Sequence, residues 1–383
     1  MFILLYHILH ICVYFFSIAP KLNQIIKYAV ENTASDIHIT ENKVGWVRVK
    51  GKLFQYGEKI ALSEIDEFIE LVIPGMAEEY TAFRERRRIN PIDGAFRYMF
   101  RRFRINIYKG MDGVNLAIRL LPDKILSLDE LSLPKDVEKF TKIKSGLFLV
   151  VGTTGSGKST TLASVIDYIN HDRSENILTV EQPIEYVHTP DKCRIEQIEV
   201  GVHVESFEMA TVAAMRQNPN IILVGEMRDL ETIQNAITLA ETGHVVYGTL
   251  HAKSVTDTVD RIIDVFPPKQ QDQIRLQLAG VLKGVMHQTL VRGPKENLVP
   301  LIELMSVDDV TAAMILGKQR SNSIRDYLRG KSAMGNIHIA DNAAWHIKEG
   351  RLDLECVKPL LAPDDFAIVR SIAAPTEKKR GFN

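Results

Sequence analysis

At 383 residues the chain exceeds the usual size of one domain, and 45% apolar with 25% charged residues is the composition of an ordinary globular protein. A net charge of −1 argues against a molecule that binds nucleic acid through its overall field. The three cysteines, Cys12, Cys193 and Cys356, include no C-x-x-C pair, which argues against a disulfide framework and a structural zinc site and fits a reducing cytosol.

The first segment, Met1–Pro20, has no Lys, Arg, Asp or Glu. It is long enough to span a bilayer, and Lys21 and Lys27 after it would leave the rest of the chain on the cytoplasmic side. No basic stretch opens it, against a cleaved secretory signal, and His7, His10 and Ser17 weaken a spanning helix. Three readings are open: a membrane anchor, a packed extension, and a start codon set too far upstream. The last is preferred, because the segment resembles nothing in the rest of the chain.

Residues 21–120 predict a small α+β domain. A helix with Leu22, Ile25, Ile26 and Ala29 on one face precedes a strand at Ile37–Ile39. Alternation over Val44–Leu53 predicts a strand pair turning near Gly51, and Leu62–Ile73 suits an amphipathic helix capped by Ser63. Phe96–Gly110 and Asn115–Leu121 read as two further strands. Arg84, Arg86, Arg87, Arg88, Arg97, Arg101, Arg102 and Arg104 make this stretch basic, either as a solvated face or as a phosphate contact. Residues 121–135, bounded by Pro122 and Pro134, predict a linker. From residue 136 to 383 short apolar runs alternate with helices: Leu147–Val151, Ile177–Val180, Ile221–Val224 and Val245–Thr249 read as buried parallel strands. Leu162, Val165, Ile166 and Ile169 line one helix between them, and Leu230, Ile233, Ile237 and Ala240 another. The expected class is a doubly wound α/β fold with a helical C-terminal part.

Gly152, Thr153, Thr154, Gly155, Ser156, Gly157, Lys158 and Ser159 form a full G-x-x-x-x-G-K-[ST] P-loop between a strand and a helix, with Thr160 following. Glycines let backbone N–H groups curl around phosphates, Lys158 would reach the β- and γ-phosphates of ATP, and the Ser159 hydroxyl would ligate Mg²⁺. Glu226 ends the strand Ile221–Val224 after Gly225, where a carboxylate can meet the metal and the attacking water; an acid there can also be a plain helix cap. Glu181 and Glu185 follow the strand Ile177–Val180. His244 and His251 bracket Val245–Thr249, and seven residues of strand separate them by about 23 Å, too far to share a metal. Either histidine could equally satisfy a core hydrogen bond.

Together with Ala34–Ile39 (ASDIHI) and Arg102–Asn106 (RFRIN), three further boxes carry a resemblance: Ile177–His188 (ILTVEQPIEYVH), Ile222–Ile233 (ILVGEMRDLETI) and Ala240–His251 (AETGHVVYGTLH). The chain resembles the secretion and type IV pilus ATPase superfamily, most of all the PilT-like pilus retraction ATPases, over about residues 21 to 370. The resemblance implies a PAS-like first domain, a RecA-like second domain and a homo-hexameric ring. The ring would stand at the inner face of the cytoplasmic membrane and engage an inner-membrane pilus or secretion platform protein. Contact with the membrane would be peripheral or through the N-terminal segment, and no specific nucleic acid is implied. It further implies Glu226 as catalytic glutamate, Glu185 as an active-site acid, and His244 and His251 as links from nucleotide state to domain movement. Arg104 and Arg119 match positions that reach a neighbouring subunit's nucleotide.

The chain departs from that pattern at Gln182, at Asn218-Pro219-Asn220 where the family has Asp-Pro-Asp, and at Thr311–Leu316 in place of the retraction signature AIRNLI. The first two open a lowered rate; the last puts retraction, as the output, in question. An assembly or export ATPase is the runner-up, although the four-cysteine module and long N-terminal domain common there are missing. A nucleic-acid motor lacks the net charge and the aromatic-basic surface. A non-hydrolysing scaffold conflicts with the intact Lys158, Ser159 and Glu226.

Overall fold

The computed structural model describes residues 19–99, 101–318, 321–329 and 335–373. The anchor, extension and start-codon readings concern residues 1–20, of which 1–18 lie outside the described residues. Ala19 is fully buried in the first core and its N–H donates to Glu67 Oε2 at 3.1 Å, and the exposed Pro20 already opens the first helix, so the segment predicted to run through Pro20 yields its last two residues to the first unit. Among the described residues no helix is long and apolar enough to cross a membrane.

The chain forms two compact units, one ending at Lys124 and one starting at Ile125. In the first, α1 (Pro20–Glu31) buries Leu22, Ile25, Ile26 and Ala29, spaced for one helical face. It is followed by β1 (Asp36–Thr40), β2 (Val44–Val49), β3 (Lys52–Lys59), α2 (Leu62–Val72), α3 (Ala77–Arg84), β4 (Ile92–Tyr98), β5 (Arg101–Gly110) and β6 (Gly113–Leu120). The six strands make one antiparallel sheet in the order β3-β2-β1-β6-β5-β4. Side chains alternate across it: in β5, Phe103, Ile105 and Ile107 join the core with the three helices, while Arg102, Arg104 and Asn106 take the other face.

Two expectations are corrected here. The single strand read over Phe96–Gly110 is two, because the backbone turns at Met99 with φ 49° and β4 folds back onto β5 with Phe96 opposite Phe103. Ser63 does not cap α2; the capping position is Ala61, and Ser63 lies within the first turn.

The second unit is doubly wound. Its sheet contains β7 (Gly146–Val151), β8 (Asn176–Glu181), β9 (Arg194–Glu199), β10 (Ile221–Val224), β11 (Val245–Leu250), β12 (Leu282–Arg292) and β13 (Leu298–Ser306), in the order β13-β12-β7-β11-β10-β8-β9. All pairings are parallel except β12 with β13. Successive residues of β7 enter opposite cores. Leu147, Leu149 and Val151 pack on the side of α6 (Leu230–Glu241), α7 (Val255–Asp264) and α8 (Pro268–Val281). Phe148 and Val150 pack with Leu162, Val165, Ile166 and Ile169 of α4 (Lys158–Asp172). Burial on both faces explains why these strands read as unbroken apolar runs. Between β9 and β10 lies α5 (Phe207–Ala214), and beyond β13 come α9 (Asp309–Leu316), α10 (Ser321–Arg329), α11 (Ile339–Lys348), α12 (Leu354–Val357) and α13 (Pro363–Ala373). The P-loop stands at the carboxyl end of β7, as the RecA-like fold implied by the resemblance requires.

Candidate active site

The P-loop joins β7 to α4 through a backbone that only glycine accepts at three points. Gly155 and Gly157 have φ of 78° and 88°, and Gly152 has φ 151°. A Cβ at Gly152 would stand 2.3 Å from the Gln288 carbonyl oxygen, and one at Gly157 would stand 2.7 Å from Gln288 Nε2. Lys158 opens α4, and its ammonium donates to the carbonyls of Gly152 at 3.1 Å and Thr153 at 2.9 Å. Burial lowers its pKa, while the charges of Glu226 and Glu185 pull the other way, so both carboxylates are within electrostatic reach of the ammonium. Ser156 Oγ is buried with no hydrogen-bond partner among the described residues. Ser159 is exposed on the first turn of α4 and offers an oxygen suited to a hard cation, so these residues fit a nucleotide phosphate with Mg²⁺. Thr160 Oγ1 lies 2.9 Å from the hydroxyl of the buried Tyr186.

Glu226 is placed by a tightly stapled loop. Gly225 N–H donates to Val180 of β8 at 2.7 Å, the Thr249 hydroxyl of β11 donates to the Gly225 carbonyl, and Met227 N–H donates to Thr249 at 2.9 Å. A Cβ at Gly225 would come 3.0 Å from the Val180 oxygen, which is why glycine precedes the acid. Asp229 then caps α6 by accepting from Thr232 N–H at 2.7 Å. Glu226 Oε2 accepts from Arg228 at 2.5 Å, and its Oε1 lies 3.1 Å from His251 Nε2 without a well-aligned hydrogen bond. Burial pushes this carboxyl's pKa up, but Arg228, with His251 and Lys158, outweighs it and holds it below the ordinary value.

The structure therefore brings Lys158, Glu226, Glu185 and His251 together at the carboxyl edge of the sheet. Glu181 ends β8 at the same edge, with Oε1 accepting from Thr179 at 2.7 Å and Gln197 at 3.2 Å. His244 is not brought there. It precedes β11 at the sheet's amino edge, bonded to the Leu239 carbonyl at 2.9 Å, so a nucleotide on the P-loop of its own subunit is out of its reach. Asn218 and Asn220 stand at that same far edge: Asn218 adopts φ 50°, which asparagine tolerates, and Asn220 Oδ1 accepts from Asn176 N–H at 2.8 Å. Both amides thus stand at the sheet edge opposite the P-loop. Arg228, Tyr186 and Gln288 are contacts that sequence reading did not assign. Arg228 and Tyr186 had a signal, the first two residues after Glu226 inside the ILVGEMRDLETI box and the second directly after Glu185 inside the ILTVEQPIEYVH box; Gln288 had none.

Arg104 and Arg119 belong to the first unit, where they are direct cross-strand neighbours on the open face of its sheet. Arg119 Nε donates to Asp36 at 3.0 Å, and Arg104 lies 3.7 Å from Asp93. Opposite Asn106 stands the small Ala117, and the four strands enclose a polar concavity of about 310 Å³ lined by both arginines, His38 and Asp93.

The family model for a type II/IV secretion system protein matches residues 15–345. The chain is 36% identical over 290 residues to the type IV pilus retraction ATPase PilT of Pseudomonas aeruginosa, covering 74% of this chain and 82% of that one. It is 32% identical over 333 residues to the uncharacterized protein YggR of Escherichia coli, covering 87% of this chain and all of the relative. The solved structure of the pilus retraction motor PilT with bound ADP superposes with a TM-score of 0.79 at 36% identity, covering 90% of this chain and 98% of that one. Matched along most of its length by the family model, with a P-loop after β7 and a glutamate after β10 at the same edge of one sheet, the chain belongs to the type II/IV secretion system protein family.

Proposed function

We propose that this ATPase works as a ring of six copies at the cytoplasmic face of the cytoplasmic membrane and converts ATP hydrolysis into retraction of a type IV pilus fibre. The observation that carries the proposal is the meeting of Lys158, Glu226 and His251 at the carboxyl edge of one parallel sheet. Backbone N–H groups from Gly155 to Ser159 would cradle the β- and γ-phosphates, with Lys158 on their charge. Mg²⁺, when bound by Ser159 and the phosphates, supplies charge neutralisation. Glu226 stays ionised and can accept the proton of an attacking water at its Oε1, while His251 and Arg228 fix its orientation. Glu185 adds a second acid near Lys158. Arg104 and Arg119 act on the nucleotide of a neighbouring subunit, and the ring bears on a platform protein in the membrane.

The test is deletion of the gene, with pili counted and their movement followed, and complementation with wild-type, Lys158→Ala or Glu226→Ala protein. Excess immobile pili, rescued only by the wild type, are expected, and the purified variants should each lose at least about tenfold in turnover. Bald cells would point instead to assembly, the reading that Thr311–Leu316 keeps open. Full turnover in both variants would overturn the site.

A further inference from the structure

Gln288 lies in the middle of β12, in sequence far downstream of the P-loop, yet it meets that loop at both ends, at Gly152 and at Ser156–Gly157. The parallel register of β12 on β7 sets His287 opposite Val151, so Gln288 stands beside Gly152. The side chain is 2% exposed. Its Nε2 donates to the Ser156 carbonyl at 2.8 Å, and its Oε1 accepts from Thr161 Oγ1 of α4 at 2.8 Å. A carbonyl can only accept, so the NH₂ must face Ser156, and the Thr161 hydroxyl fixes the other end of the amide. The backbone carbonyl of Gln288 and its Nε2 also fill the space where Cβ atoms at Gly152 and Gly157 would stand.

The Ser156 carbonyl and the Gly157 N–H belong to one planar trans peptide, so they point in opposite directions. Holding the carbonyl outward on Gln288 turns the Gly157 N–H inward, where the loop receives phosphate. We propose that Gln288 is a positioning residue for nucleotide binding: it sets the orientation of the Ser156–Gly157 peptide, and through it one of the phosphate-binding donors. This rests on the P-loop ATPase reading given above. It also makes β12, which pairs with β13 over Gly284–Arg292 and Leu298–Ser306, the strand through which the C-terminal part of the unit bears on the nucleotide.

The test uses the full chain with Gln288→Met, which conserves volume and removes the donor. Gln288→Glu keeps the acceptor for Thr161 and sets a carboxylate against the Ser156 carbonyl. ADP affinity, KM for ATP and kcat are measured at a temperature where the nucleotide-free variants are folded, together with their melting curves. Both variants should raise the ADP Kd and the KM by about tenfold or more, with kcat falling by less than KM rises. A role in packing alone would lower the melting temperature and leave the affinity of the folded protein unchanged, and that result would overturn the proposal. Should the methionine variant fail to fold, the glutamate variant decides, since it preserves size and the bond to Thr161. Lys158→Ala is assayed alongside. If it keeps full turnover the ATPase site itself is misassigned, whereas an inactive Lys158→Ala beside Gln288 variants of normal affinity removes only the role of Gln288.

Discussion

Glu226 is subject to opposing demands, since burial favours the neutral acid and a proton acceptor must be ionised. Arg228 decides the balance: its hydrogen bond and charge, with His251 and Lys158, keep the carboxyl below the ordinary glutamate range. If Glu226 is the proton acceptor proposed above, kcat/KM falls when it takes up a proton, and the acid limb reports that group in the free enzyme. Replacing Arg228 with Gln removes the cation that does most to keep Glu226 ionised, so the acid limb should move to higher pH, while turnover at pH 8 drops by less than the roughly tenfold expected of Glu226→Ala. Kinetics of both proteins between pH 5 and 8 would check this, and an unmoved limb would free Glu226 from Arg228. Lys158 was legible in the sequence because a loop that binds phosphate needs local spacing, which a single segment displays, and Glu226 because it follows the apolar run Ile221–Val224 after a single glycine. Gln288 was not, because its place beside Gly152 follows from the pairing of β12 with β7, and no local pattern encodes that pairing. His244 was placed by family position, yet the strand length that argued against a shared metal also sets it at the sheet edge opposite His251.

Strands buried on both faces, such as β7, β10 and β11, declare themselves as apolar runs, whereas those that carry polar residues inward do not. In β9, the run RIEQIE alternates on a sheet edge. In β12, Gln288 is buried for the P-loop and His287 stands half-buried, which breaks the apolar signal. The helices after β13 pose a related question, since α11 docks through a histidine. His346 is fully buried, with Nε2 donating to the Pro300 carbonyl at 3.1 Å and Nδ1 accepting from Arg351 at 3.2 Å. That arrangement requires the neutral ring, and burial together with Arg351 takes its pKa from 6.5 to about 4. The unfolded chain therefore binds the extra proton between those values, so the stability contributed is full above 6.5 and is lost as the pH falls toward 4. Each such histidine steepens the fall by up to about 1.4 kcal/mol per pH unit. His346→Gln should flatten the slope by that amount, measured by urea unfolding at pH 5, 6 and 7 through Trp345 fluorescence in a Trp46→Phe background. Equal slopes would show that His346 does not titrate across unfolding.

Each of the two units buries its own core, and under the proposed function each supplies residues to hydrolysis. The second carries the P-loop and Glu226. The first holds Arg104 and Arg119 side by side, two like charges on paired strands, a costly juxtaposition that Asp93 and Asp36 offset and that a phosphate could use. Lys158 and a bound metal leave part of the γ-phosphate charge uncompensated, and an arginine delivered from another subunit can be worth about 10³–10⁵ in rate. If these two residues act across a subunit boundary, the Arg104→Ala/Arg119→Ala protein and the Glu226→Ala protein should each be nearly inactive. In rings mixed from both, some boundaries pair intact arginines with an intact Glu226, and activity should partly return. A solvated strand face predicts something different, since the arginine variant would then keep full activity alone. The measurement is turnover against mixing ratio, with mass photometry or native mass spectrometry showing that mixed rings have formed. Recovery that peaks near equal proportions supports action between subunits, and its absence in rings shown to be mixed would take Arg104 and Arg119 out of the active site.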